Sequence, residues 1–163
     1  GKNDRILPIY GHALNKEQFS QLTYKDITKG LAYDPGSTLS LGPYRIRFMR
    51  TNHPVPCFAM RIEAGGKSLV FTGDTSYKEE MAEFSRDCDL LLCECNFYKH
   101  QNGANAGHMN SIDAGRLARL ASAKNLVLTH LPHYGNIENL HSEAKEEYSG
   151  PISLAEYGKE IFL

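Results

Sequence analysis

The chain has 163 residues, enough for one domain with a sizeable core. Hydrophobic residues make up 41% and charged residues 23%, with a formal net charge of -1. No basic field advertises nucleic acid or anionic lipid, and no apolar run reaches the roughly 20 residues needed to cross a bilayer. Ile6 to Tyr10 predicts a strand ended by Gly11. NKEQFSQLT predicts a short helix capped by Asn15. GLAYDPGSTLSLGPYRIRFMRTNH holds two or three strands broken at Pro35-Gly36 and Gly42-Pro43. Within it, Tyr44, Ile46 and Phe48 alternate with Arg45, Arg47 and Arg50, the pattern of a half-buried strand with one wet face. CFAMRIEAGGKSLVFTGD reads as a hairpin turning at Gly65-Gly66.

The rhythm then changes. SYKEEMAEFSRD predicts a helix, CDLLLCECNF a fully apolar strand, NSIDAGRLARLASAKN a helix and NLVLTH another buried strand. NIENLHSEAKEEYSG predicts a polar helix, and ISLAEYGKEIFL closes the chain as strand-like sequence. Strands alternating with helices imply an α/β fold, a mixed sheet with helices on its outer face. Cys57, Cys88, Cys93 and Cys95 lack zinc-ribbon spacing and read as reduced, buried thiols of a cytoplasmic protein. The sequence begins at Gly1 and enters a strand almost at once, as expected of a fragment of a longer chain.

Polar ligand types recur at the ends of apolar strands. His53 follows RFMRTN, Asp74 follows LVFTG, and His130 follows NLVLT, while His108 sits in GHMNSIDAG before a helix. Strand ends are rigid places from which side chains converge. Imidazole nitrogen and carboxylate oxygen are the usual ligands of catalytic zinc and similar ions. A carboxylate has two oxygens, so Asp74 can bridge two metals, with Gly73 clearing space for them. Each residue alone has a plainer meaning. A lone strand-terminal histidine is more often hydrogen-bonded than ligating, and Asp74 could cap the helix that follows. The joint pattern favours metal.

Three blocks carry a family resemblance: TNHPVPCFAMRIE, SLVFTGDTSYKEEMAEFSRDCDLLLCECNF, and GHMNSIDAGRLA followed by NLVLTHL. In order and interval they resemble the metallo-β-lactamase superfamily, ribonuclease Z-like branch. The resemblance implies a four-layer α/β/β/α sandwich, with residues 1–163 forming a single partial domain that covers mainly the second half. It implies His53 and His130 as ligands of two divalent ions, zinc first with manganese or iron as alternatives, and Asp74 as their bridge. It implies His108 as the catalytic histidine facing a scissile phosphate, and Glu94 as the group orienting it. For Glu94 the plainer meaning is a strand-end charge tying down a loop.

The family's H-x-H-x-D-H motif is absent from this sequence. Three ligands for two ions are too few, because catalytic zinc usually takes about three protein ligands per metal. An apolar sheet face should also be left to cover, by the missing N-terminal half or by a second copy in a homo-oligomer. The implied activity is a binuclear metal-dependent phosphodiesterase needing that half. A non-catalytic scaffold and a lactonase- or thioesterase-type hydrolase are the alternatives. Only EAGG separates the two hairpin strands, where transfer-RNA-processing members carry a long basic arm, so a small phosphodiester is expected ahead of RNA. Of the other histidines, His12 reads as a turn residue and His100 and His141 as surface residues. His133, beside Tyr134, reads as a candidate substrate contact at the rim.

Overall fold

The computed structural model describes residues 6–163; residues 1–5, counted in the expected domain, lie outside the described residues. Strand β1 (Leu7–His12) pairs in parallel with β2 (Thr28–Tyr33), and helix α1 (Lys16–Ser20) connects them. Gly11 does not end β1. It continues the ladder opposite Ala32, so His12 is a strand residue and not a turn residue. Asn15 caps α1 as expected, its side-chain oxygen accepting the Gln18 amide at 3.1 Å.

The main sheet has seven strands in sequence order: β3 (Leu39–Leu41), β4 (Tyr44–Arg50), β5 (Phe58–Ala64), β6 (Lys67–Phe71), β7 (Leu90–Glu94), β8 (Leu126–Thr129) and β9 (Ile152–Leu154). Pairs from β3 to β6 are antiparallel, and pairs from β6 to β9 are parallel. The mixed sheet expected from the change of rhythm is therefore present. Gly65 and Gly66 turn β5 into β6 with φ of 57° and 76°, the left-handed values a two-residue hairpin turn needs. Helices α2 (Glu80–Phe84), α3 (Ser111–Leu120) and α4 (Glu138–Ala144) follow β6, β7 and β8.

One sheet face carries Val70, Leu91, Cys93, Leu126 and Leu128, packed into a core with Met81, Leu117, Ala118, Leu140 and Ala144 of the helices. Each fully buried leucine there contributes about 1.5–3 kcal/mol. Cys88, Cys93 and Cys95 are buried in this core, and all four cysteines are free thiols. Residues of opposite pleat parity, Ile46, Phe48, Met60, Ile62, Leu69, Phe71 and Leu92, form the other face and are only partly buried. Tyr33 of the small sheet covers part of it, stacked on Phe48 with ring centroids 3.9 Å apart.

Three elements are shorter than their sequence suggests. The helix expected from Ser76 starts only at Glu80, because Thr75 and Ser76 are held by hydrogen bonds to the loop around Asn52. The polar helix spans Glu138–Ala144 and breaks into turns before Tyr148, whose hydroxyl donates to Ala123 O at 2.6 Å. The last strand stops at Leu154, where Lys159 Nζ folds back onto the Leu154 carbonyl.

Asp89 pins the far edge of the sheet. Its carboxylate accepts the Ser68 amide at 2.8 Å and Lys124 Nζ at 2.8 Å. Lys124 and the Ser68 groups hold its pKa down, at about 2 against the ordinary 3.8. A depressed folded-state pKa stabilises the fold above the unfolded value, and that contribution is lost as pH falls through the folded one. Asp89→Asn should therefore flatten the fall in melting temperature between pH 3.8 and about 2. Unchanged acid sensitivity in the variant would refute that role.

Candidate metal centre

Strands β4, β6, β7 and β8 run in the same direction, because β5 is antiparallel to both β4 and β6 while β6, β7 and β8 are mutually parallel. Their C-terminal ends therefore share one edge of the sheet, where ligand sites of α/β sheets generally lie. His53, Asp74 and His130 follow β4, β6 and β8, and Glu94 is the last residue of β7. His108 joins them from the loop before α3, which a backbone bridge between Phe97 and Asn110 holds beside the end of β7.

Two overlapping groups result. Ligand atoms of His53, Asp74 and His108 lie within 4.8 Å of one another, as do those of Glu94, His108 and His130. Asp74 also reaches across to His130, with Oδ1 3.3 Å from Nδ1. Two ligand atoms sharing one tetrahedral zinc at about 2.0–2.1 Å would stand roughly that far apart. The donor set, imidazoles and carboxylates, fits a divalent ion of the zinc type. His53 Nδ1 sits 3.1 Å from the Val55 carbonyl, and in the tautomer that donates there, Nε2 carries the lone pair. Asp74 and His130 keep 43% and 42% of their side-chain surface exposed, so the cluster opens to solvent.

Glu94 ties the loops of this edge together. One oxygen accepts the Thr75 amide at 2.7 Å and lies 2.8 Å from His108 Nδ1; the other accepts the Met109 amide at 3.1 Å. Its side chain is 1% exposed. Burial pushes the carboxyl above the ordinary carboxylate range, opposed by these three donors. Thus the two meanings weighed for Glu94, orienting His108 and tying down a loop, describe the same set of bonds.

Other supports are visible only in three dimensions. Thr75 Oγ1 accepts the Asn52 amide at 3.0 Å, joining the His53 loop to the Asp74 loop. Asn96 Nδ2 donates to the His130 carbonyl at 2.9 Å, restraining a residue whose φ is 53°. A left-handed conformation at a non-glycine residue costs about 1–3 kcal/mol and persists where its surroundings hold it. Gly107, at φ 85°, has no room for a side chain: a Cβ would meet Pro54 Cδ at 2.6 Å and His53 Cα at 3.1 Å. Small or polar residues in loops gave no period from which these roles could be read.

Two expectations are corrected. Gly73 makes room for neighbouring protein and not for metal: with φ at 59°, its Cβ would meet Cys57 Sγ at 2.9 Å and Phe58 O at 3.2 Å. Asp74 does not cap α2, whose N-terminal position is Glu79. His133 is exposed beyond His130, and His100 stacks on Tyr98 with centroids 6.2 Å apart. His141 is half-buried within α4, and His12 Nε2 lies 3.1 Å from the Pro56 carbonyl.

A family model described as a beta-lactamase superfamily domain matches residues 10–131. The chain belongs to the beta-lactamase superfamily. A relative from Bacillus subtilis, "Probable metallo-hydrolase YhfI", is 52% identical over 97% of this chain. The chain spans 65% of that relative's own length. The crystal structure of the metallo-beta-lactamase fold protein YhfI superposes with a TM-score of 0.95 at 51% identity, over 98% of this chain and 65% of that one. The fold is thus the metallo-β-lactamase fold, of mixed α/β type. A ribonuclease Z from Myxococcus xanthus is 36% identical over 55% of this chain and 31% of its own length, a more distant superfamily relative. No helix among the described residues is long and apolar enough to cross a membrane.

Proposed function

We propose that this chain carries part of the active site of a metal-dependent hydrolase acting on small phosphodiesters. The observation carrying the proposal is the meeting of His53, Asp74, His108 and His130 at one sheet edge, with Glu94 beneath them. The name of the Bacillus subtilis relative supports hydrolysis, and the likeness to ribonuclease Z supports a phosphodiester. In the proposed assignment His53 and His130 would each help hold one ion, and Asp74 would contribute to both. Further ligands come from protein outside this sequence, which also covers the second sheet face. Zinc suits the donor set best.

Bound divalent ions would supply Lewis acidity and lower the pKa of a water molecule. The remaining work falls to the chain's own groups. Glu94 accepts a hydrogen bond from His108 Nδ1–H and fixes the ring; when the ring carries a second proton as imidazolium, Nε2–H is the group that can give a proton to a departing oxygen. His108 keeps 16% of its side chain exposed, enough to meet a substrate while largely screened from water. Asp74 and His130 at the open side leave the approach to phosphorus clear.

The test uses full-length protein and three substrates: bis-p-nitrophenyl phosphate, a lactone and a thioester. Phosphodiester hydrolysis is expected to dominate, and preference for the lactone or thioester would overturn the substrate class. His108→Ala should lower kcat by about 10²–10⁴-fold with metal content retained. Loss of metal in that variant would make His108 a ligand instead.

A further inference from the structure

A cavity of about 350 Å³ lies between the loop after β7 and the loop after β8, lined by Tyr98, His100, Gln101, Tyr134, Asn136 and Asn139. Both loops also serve the metal centre. The Gln101 carbonyl accepts from Asn110 Nδ2 at 3.1 Å, two residues beyond His108. Tyr134 is four residues beyond His130, so at most roughly 14 Å of chain separates them.

The lining has a consistent chemistry. Tyr98 is buried, 5% exposed, and packs against the tilted Tyr134 ring with centroids 5.8 Å apart, while His100 lies nearly parallel to Tyr98; Tyr134 and His100 are the rings open to solvent. The remaining side chains are carboxamides, with no carboxylate and no lysine or arginine among them. Gln101 Oε1 accepts from the Tyr98 amide at 3.0 Å and the Tyr134 hydroxyl at 3.1 Å, leaving its NH2 as a donor. Tyr98 Oη donates to the Tyr134 carbonyl at 2.7 Å, which sets the Tyr134 loop before any ligand arrives. Tyr134 remains 50% exposed, a large ring offered to solvent. Aromatic faces beside neutral donors and acceptors suit a flat, uncharged heterocycle that both stacks and hydrogen-bonds.

We propose that this cavity binds a nucleobase, so that the small phosphodiester carries a nucleoside on the side of the Tyr134 loop. The proposal deepens the phosphodiesterase reading and rests on it for its catalytic meaning. Binding is nevertheless read separately from catalysis. Absence of bis-p-nitrophenyl phosphate hydrolysis would remove the catalytic reading and leave the nucleoside titration to decide the cavity.

Adenosine and uridine, which carry no phosphate, are titrated into full-length metal-free protein and followed by protein-observed NMR. Saturable binding is expected, and Tyr134→Ala should weaken it about tenfold, the scale of one lost base stack. Tyr134→Phe keeps the ring and should stay within about threefold of the parent. Tyr157→Ala, an exposed aromatic outside the cavity, should leave binding unchanged. No nucleoside binding to the parent, or equal affinity in Tyr134→Ala, overturns the proposal; so does equal loss in the Ala and Phe variants, which would trace the effect to the hydroxyl and not to stacking. Adenosine monophosphate and an adenylate tetranucleotide should bind alike, because the cavity holds one base. A tetranucleotide binding more than about tenfold tighter would overturn the single-base form and point to RNA.

Discussion

Asp74→Ala in the full-length protein is expected to lower bound metal by more than about tenfold and to abolish hydrolysis, since even partners one shell removed from a metal commonly change affinity 10–100-fold. Asp74 belongs to the His53 group and also stands 3.3 Å from His130 Nδ1, so its two oxygens can serve both sides of the cluster. Histidines 53 and 130 alone would leave each ion with a single ligand from this chain. Elemental analysis of the purified variant checks the outcome, and full metal occupancy would dismiss the bridging assignment. Asp74 is partly exposed and makes no helix cap, so the variant should fold with little loss of stability.

Glu94→Ala should have the opposite profile, damaging the fold first. The buried carboxylate takes the Thr75 and Met109 amides and meets His108. Each buried donor left without a partner costs about 1–3 kcal/mol. Summed over two amides and a truncated side chain, destabilisation of about 3–5 kcal/mol is expected, the scale of a broken buried polar network. Urea denaturation of variant and parent measures it, and a loss below about 1 kcal/mol would show that water replaces the carboxylate without difficulty. Because Glu94 joins the Asp74 and His108 loops, the variant should also bind metal more weakly even where it folds.

These two expectations rest on features of unequal legibility. The Gly65-Gly66 turn and the Asn15 cap depend on neighbours a few residues apart and appear where the sequence places them. The alternation in YRIRFMR holds only from Arg45 to Phe48: Tyr44 is exposed, and Arg50 shares the pleat face of Ile46 and Phe48. Strand-terminal His53, Asp74 and His130 were visible as residue types in suggestive places. The late start of α2 was not visible, since SYKEEMAEF has the composition of a longer helix. Thr75 and Ser76 are instead committed to Asn52, 23 and 24 residues earlier. Glu94 left two meanings open for a similar reason: its partners lie 14 to 19 residues away in both directions along the chain.

Sequence alone determined the local elements, the change from hairpins to alternating strands and helices, and the chemical kinds available at the strand ends. It did so because backbone propensity and apolar period act over a few residues. Tertiary structure decided that β4, β6, β7 and β8 point the same way, that His108 is carried back to Glu94, and that Tyr134 faces Tyr98. Those outcomes depend on strand order, pairing register and buried hydrogen bonds between distant residues, which no local period encodes.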